Sequence, residues 1–282
     1  MNMKKSNILE LKSNIKKIVT FLGFVPVLLM TSCHNDRDIN SIEFTSYPKN
    51  IISTPIIMSD FPKAVAESQT PINIIPSKAV TFHSNMPIIH YGVVTLDSVV
   101  NVAGEELKIN INNTDNLNNY ITVEGKRYNL VSLHFHYSSE HTIDGMYSTM
   151  EIHFVNIAVD NSYLVLSIMV DLGNGNPSLE NLFAQSPTMS DAVNSPNIPF
   201  NISNLLPDNT REYYTYSGSL TTPNFGVNSS ITNGGPVTWF VLKNKQQLST
   251  AQFNSYKAIY PAPNFRHIQP MNGRVVYFNP GF

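Results

Sequence analysis

The sequence predicts a mainly β, α+β fold: a single domain around a large, mostly antiparallel central sheet with short peripheral helices. Three observations predict it. Short apolar runs rich in β-branched and aromatic residues recur along the chain, separated by Asn, Gly, Pro and Ser clusters of the kind that turn one strand into the next. Helical periodicity is confined to two brief segments. No internal repeat or low-complexity bridge divides the chain, so its 282 residues read as one large domain.

The expected strands, in order, are VTF at 80–82, YGVV at 91–94, LKINI at 107–111, NYITV at 119–123, YNLVSLHFHY at 128–137, EIHFVNIAV at 151–159, YLVLSIMV at 163–170, YTYSGSL at 214–220 and VTWFVL at 237–242. One helix is expected from Ser178, as its N-cap, to Phe183, with Glu180 in the first turn. A second is expected from Ser249 to Tyr256, capped by Ser249 or Thr250. The Asn-, Pro- and Ser-rich stretch from Asn174 to Asn209 reads as the most loop-like part of the domain.

The first 33 residues are of another kind. Lysines 4, 5, 12, 16 and 17 precede an apolar run from Ile18 to Met30, too short to span a bilayer but suited to the core of a secretory signal over residues 1–32. The run ends at Met30-Thr31-Ser32-Cys33, which resembles a bacterial lipoprotein signal, so Cys33 is expected to become the lipid-bearing first residue of the mature chain. Cys33 is the single cysteine, which excludes an internal disulfide. Residues 33–60 then form a tether and a segment of uncertain alignment, and 61–282 the domain. A formal net charge of −2 and a charged content of 13%, against a usual figure of about 25%, point away from a nucleic-acid partner.

Four of the eight histidines fall within positions 134–153. Side chains at i and i+2 of a strand leave the same face, so His134 and His136 can reach one ion together while Phe135 points into the core. His153 follows in the next strand, where Glu151 shares its face as an acceptor for an imidazole N–H. Three neutral imidazoles with a fourth position open is the pattern of a catalytic zinc site. His134, His136 and Glu140 also match the H-x-H-x3-E spacing of a cupin-type jelly roll, but the flanking glycines of that motif are absent and the next histidine arrives too early. His83 and His90 read as ordinary structural histidines.

These residues resemble the α-class carbonic anhydrases. The family's Q-F-H-F-H, S-E-H-T-x-D and E-x-H-x-V appear as Ser132–His136, Ser139–Asp144 and Glu151–Val155. Gln69–Ile74 resembles its Q-S-P-I-N-I, Gly218–Pro223 its G-S-L-T-T-P, Val237–Trp239 its V-T-W, and Asn264–Arg274 its N-x-R-P-x-Q-P-L-N-G-R. The resemblance implies zinc on His134, His136 and His153, and a zinc-bound hydroxide that attacks carbon dioxide to give bicarbonate and a proton. Thr221 would accept the hydroxide's hydrogen bond and donate its own proton to Glu140. Val155, Val165, Leu220 and Trp239 would form the apolar wall for carbon dioxide, with Thr222 at the mouth. Glu151, Ser132, His141 and Asn264 would stand behind the ligands.

The chain also departs from the family. Ser132 replaces the glutamine that accepts from the first ligand, leaving His134 to be oriented by water. Glu105 occupies the place of the proton-shuttling histidine, and an ordinary glutamate, with a pKa of about 4.3, is a poor relay at pH 7. The expected enzyme is therefore a zinc carbonic anhydrase of the bacterial envelope, periplasmic or on the outer membrane, slowed by proton transfer. The alternative is a binding or adhesion module on the same scaffold, with weak catalysis or none. The sequence leaves the oligomeric state open.

Overall fold

The computed structural model describes residues 68–84, 87–221 and 236–281, all within one compact unit. Eight strands form the spine: β1 (Val99–Val102), β2 (Glu106–Asn110), β3 (Lys126–His136), β4 (Met150–Ala158), β5 (Tyr163–Leu172), β6 (Tyr213–Gly218), β7 (Val237–Leu242) and β8 (Tyr277–Asn279). They lie side by side in the order β1-β2-β3-β4-β5-β7-β6-β8, extended by Val193–Asn194 beyond β1 and Val80–Thr81 beyond β8. Neighbours along the spine are antiparallel except β5 and β7, as expected of a chain whose strands mostly follow one another through short turns.

Each face of the sheet carries its own apolar cluster. Leu107, Ile109, Leu133, Phe135, Ile152, Phe154, Leu166 and Ile168 belong to one. Val165, Met169, Tyr214, Tyr216, Trp239 and Val241 belong to the other. Both faces of β5 are therefore covered, which is why YLVLSIMV reads as a continuous apolar run rather than an alternating one.

A single irregularity sets the site. Val155 on β4 pairs with Ser132, but the next residue, Asn156, pairs with Leu130, so β3 carries one extra residue at Val131. A bulge shifts the side-chain alternation by one. Tyr128 and Leu130 face the first core before it, and Leu133 and Phe135 face that core after it. His134 and His136 are thereby turned to the opposite face; without the extra residue they would share the side of Leu130.

Among the described residues two α-helices lie outside the sheet: α1 (Pro177–Phe183) and α2 (Thr250–Ile259). The cap of α1 is Asn176 rather than Ser178, because Pro177 has no N–H and fits the first helical position; the Asn176 side chain accepts from the N–H of Ser178 and Leu179. Ser249 caps α2 in a reciprocal pair with Gln252 and so takes the role that Thr250 competed for. The stretch from Asn174 to Asn209 is more ordered than its composition suggests. It holds α1, the strands Val193–Asn194 and Ile198–Asn201, and a 3-10 turn at Ile202–Leu205.

Candidate metal centre

Strand register assembles the centre from the sequence pattern. On the second face of the sheet, Lys108, His134, His153, Ser167 and Val241 form one cross-strand row. Asn110, Ser132, Val155, Val165, Trp239 and Tyr216 form the row on one side, and His136, Glu151 and Met169 the row on the other. The three predicted imidazoles are thus direct neighbours, with ring centroids 4.9 Å apart for His134 and His136, 5.1 Å for His134 and His153, and 4.7 Å for His136 and His153. One nitrogen from each ring lies within 4.8 Å of the other two.

Hydrogen bonds fix which nitrogens are bare. His136 Nδ1 lies 2.8 Å from the carbonyl oxygen of Asn264, which can only accept, so Nδ1 carries the proton and Nε2 is a lone pair. That Nε2 is buried and has no hydrogen-bond partner. His153 Nε2 lies 2.7 Å from Glu151 Oε1, so its Nδ1 is the bare atom, and it sits 3.3 Å from His134 Nε2. Buried lone pairs that face one another repel, and a divalent cation among them removes the repulsion. The donor set suits zinc, a borderline ion that takes neutral imidazole.

Glu151 is the anchor behind the ligands. Oε1 accepts from His153, from His141 Nδ1 at 2.7 Å and from the Ser167 hydroxyl; Oε2 accepts the backbone N–H of Glu140 and of His141 at 2.7 and 2.8 Å. Burial alone would raise its pKa, yet His141 and His153 together hold it well below the usual carboxylate range. A second grouping, His141, Glu151 and His153, also has metal-like spacing. Its contacts explain it as this hydrogen-bonded support, since the Glu151 oxygens are already engaged. His141 Nε2 in turn lies 2.6 Å from the Tyr216 hydroxyl, so both ring nitrogens of His141 are engaged.

Burial lowers the pKa of His134 and His153. At His136 burial acts in the same sense, but the Glu140 and Glu106 carboxylates and the Asn264 carbonyl outweigh it and raise the pKa. Glu140 Oε1 accepts from the N–H of Arg266 at 2.9 Å, while Oε2 is buried without a hydrogen-bond partner, 3.5 Å from His136 Nε2.

The remaining predicted residues fall in three groups. Val165 and Trp239 are buried, and Val155 and Leu220 pack against the same cluster; the indole N–H of Trp239 donates to the Ser219 carbonyl, and its ring lies 4.9 Å from that of His153. Thr221 is described but makes no hydrogen bond to Glu140 Oε2, and Thr222 lies outside the described residues, as does Cys33. Ser132 is buried beside the ligands without bonding His134, and Glu105 is exposed at the turn between β1 and β2. Gly218, which opens the G-S-L-T-T-P block, must be glycine: a Cβ there would stand 2.1 Å from Thr70 Oγ1.

Two residues that sequence reasoning passed over belong to this face. Lys108 sits opposite His134, and Glu106, two residues earlier on β2, is close enough for its charge to act on His136. Their place beside the imidazoles follows from the pairing of β2 with β3 rather than from the pattern of either strand alone.

A wide, mostly antiparallel sheet with a buried three-imidazole centre on one face defines a metal-centred enzyme of the carbonic anhydrase kind. The model of the eukaryotic-type carbonic anhydrase family matches residues 58–280. A carbonic anhydrase from Neisseria gonorrhoeae is 33% identical over 213 residues, 76% of this chain and 78% of that protein. The α-carbonic anhydrase of Thermovibrio ammonificans, solved with the inhibitor sulfanilamide, shares 31% identity with a TM-score of 0.66 over 75% of this chain and 87% of that one. That of Photobacterium profundum shares 30% with a TM-score of 0.64 over 75% and 89%. The chain belongs to the eukaryotic-type, α-class carbonic anhydrase family, and with that family it is an enzyme.

Proposed function

We propose that this chain hydrates carbon dioxide reversibly at zinc held by His134 Nε2, His136 Nε2 and His153 Nδ1. The observation that carries the reading is the set of bare imidazole nitrogens converging from two adjacent strands, with His136 and His153 each oriented by a hydrogen bond on the other ring nitrogen. When bound, zinc supplies the Lewis-acid chemistry that makes a nucleophile of water at neutral pH.

The chain's own residues do the rest. Val155, Val165, Leu220 and Trp239 offer carbon dioxide a dry, apolar wall beside the imidazoles. Glu140 Oε2, buried and unengaged, is the acceptor for the Thr221 hydroxyl proton, because a carboxylate can only accept. With its proton so committed, Thr221 Oγ1 would be left as an acceptor, able to hold and orient a water beside the imidazoles toward the apolar wall. Glu105, exposed on the turn, stands where the family's proton relay would be, so proton release to buffer limits turnover.

Cys33 as a lipid anchor, and residence in the bacterial envelope, belong to the same reading, supported by the lysines and apolar run that precede it. Labelling with a radioactive fatty acid should mark the wild type and miss Cys33→Ser. The activity is tested by metal analysis of the mature domain and stopped-flow hydration, for wild type and His136→Ala, with and without sulfanilamide. One zinc per chain, hydration lost in the variant and inhibition by the sulfonamide are expected. Stoichiometric zinc without hydration in the wild type would place the chain among binding or adhesion modules instead.

A further inference from the structure

The register that sets the imidazoles side by side also sets a cation among them. Lys108 stands directly across from His134 between β2 and β3, as Asn110 stands across from Ser132. The alternate residues of β2, Leu107 and Ile109, lie in the first core, so Lys108 rises from the face that carries the imidazoles. Lys126, Lys243 and Lys245 each close a salt bridge at 2.6–2.7 Å. Among the described residues Lys108 closes none, so this half-buried lysine stands in register with His134, on the face of the imidazoles, without a carboxylate in salt-bridge contact.

We infer that Lys108 is an anion-positioning residue, which draws bicarbonate and small monovalent anions to the open side of the metal centre. This rests on the reading above. The two substrates of the reversible reaction differ in the property Lys108 senses: carbon dioxide is neutral and is served by the apolar wall, whereas bicarbonate carries a full negative charge. A unit charge about 8 Å from a bound anion, at an effective dielectric of roughly 30 to 60, changes its affinity by about 3- to 10-fold. Lys108 therefore biases the centre toward retaining the product of hydration and the substrate of dehydration. The same field favours thiocyanate and other inhibitory anions.

The test uses the protein loaded with cobalt, whose visible spectrum reports anion binding, titrated with thiocyanate and with bicarbonate. Lys108→Gln and Lys108→Met remove the charge and keep the stem; Lys108→Arg keeps the charge. Both dissociation constants should rise about 3- to 10-fold in the Gln and Met variants and return to within about twofold of wild type in the Arg variant. The ratio of KM for bicarbonate to KM for carbon dioxide, measured on the zinc protein, should rise by a similar factor. Unchanged constants at full cobalt occupancy overturn the inference, and so does equal weakening in the Arg variant, which would show a loss of shape rather than charge. A wild type that takes no cobalt fails the reading of the site itself, a result distinct from either.

Discussion

Glu151 Oε1 accepts the Nε2–H of His153 at 2.7 Å, and this one contact decides which nitrogen of the third imidazole faces the centre. The carboxylate is fully buried and holds five donors. An amide in its place keeps the size but turns an N–H₂ toward groups that themselves donate. Glu151→Gln should therefore weaken zinc retention by about 10- to 100-fold, read by competition with a chromogenic chelator. Retention within twofold of wild type would sink the assignment of Glu151 as the orienting group.

The bulge at Val131 makes a sharper prediction about fold and site together. Deleting Val131 restores simple alternation along β3 and carries His134 and His136 to the face of Leu130 and Phe82, into the first core. Two imidazoles buried there without partners cost several kcal/mol, on the order of 2–7 kcal/mol each. The deletion should yield protein that is insoluble or takes up no zinc, whereas Val131→Ala should stay within about 1 kcal/mol of wild type and bind metal normally. Soluble, zinc-loaded deletion protein would show that the bulge does not set the face.

Thr221 and Glu140 are not hydrogen-bonded, and Glu140 Oε2 is left buried and unengaged. The orienting role proposed for Thr221 has its hydroxyl donate to that free oxygen. Thr221→Ala should lower kcat/KM for hydration by about 100-fold, the scale of a misplaced nucleophile, with zinc stoichiometry unchanged. Thr221→Ser, which keeps the hydroxyl, should recover most of that loss. Equal rates for the Ala and Ser variants would remove Thr221 from the mechanism.

Much of this was legible in the chain, and the parts that were not have physical reasons. The nine apolar runs mark real strands because alternation or continuous apolarity survives in the residues themselves. The H-x-H pair gives the ligands because strand geometry allows i and i+2 no other relation. The face they use depends on Val131, an extra residue that no local pattern announces. Lys108 and Glu106 were passed over because their proximity to the imidazoles is a matter of register between β2 and β3, and pairing partners are not written in either strand alone. Asn264 joins the centre from a distant block by its backbone: its carbonyl takes the His136 proton, while its side chain fastens the Tyr137 N–H and the Phe135 carbonyl. Only the resemblance to the family pointed to it.

Glu105 bears on speed. Histidine is the side chain whose ordinary pKa lets it take and return a proton near pH 7. Here the turn between β1 and β2 presents an exposed glutamate instead, and His141, the remaining histidine of the cluster, is buried behind the ligands. In the proposed mechanism proton release goes directly to buffer, which would make it the slow step at low buffer concentration. The turnover number of hydration should climb severalfold and saturate as imidazole buffer is raised at fixed pH and ionic strength, while kcat/KM stays flat because it precedes proton release. Glu105→His should raise turnover by about 10-fold or more in dilute buffer and abolish much of the response to imidazole. A wild type that is already fast in dilute buffer, with no response to imidazole, would mean that another group carries the proton out. Glu106, on the site face and raised above its ordinary pKa by burial, would be the first to examine.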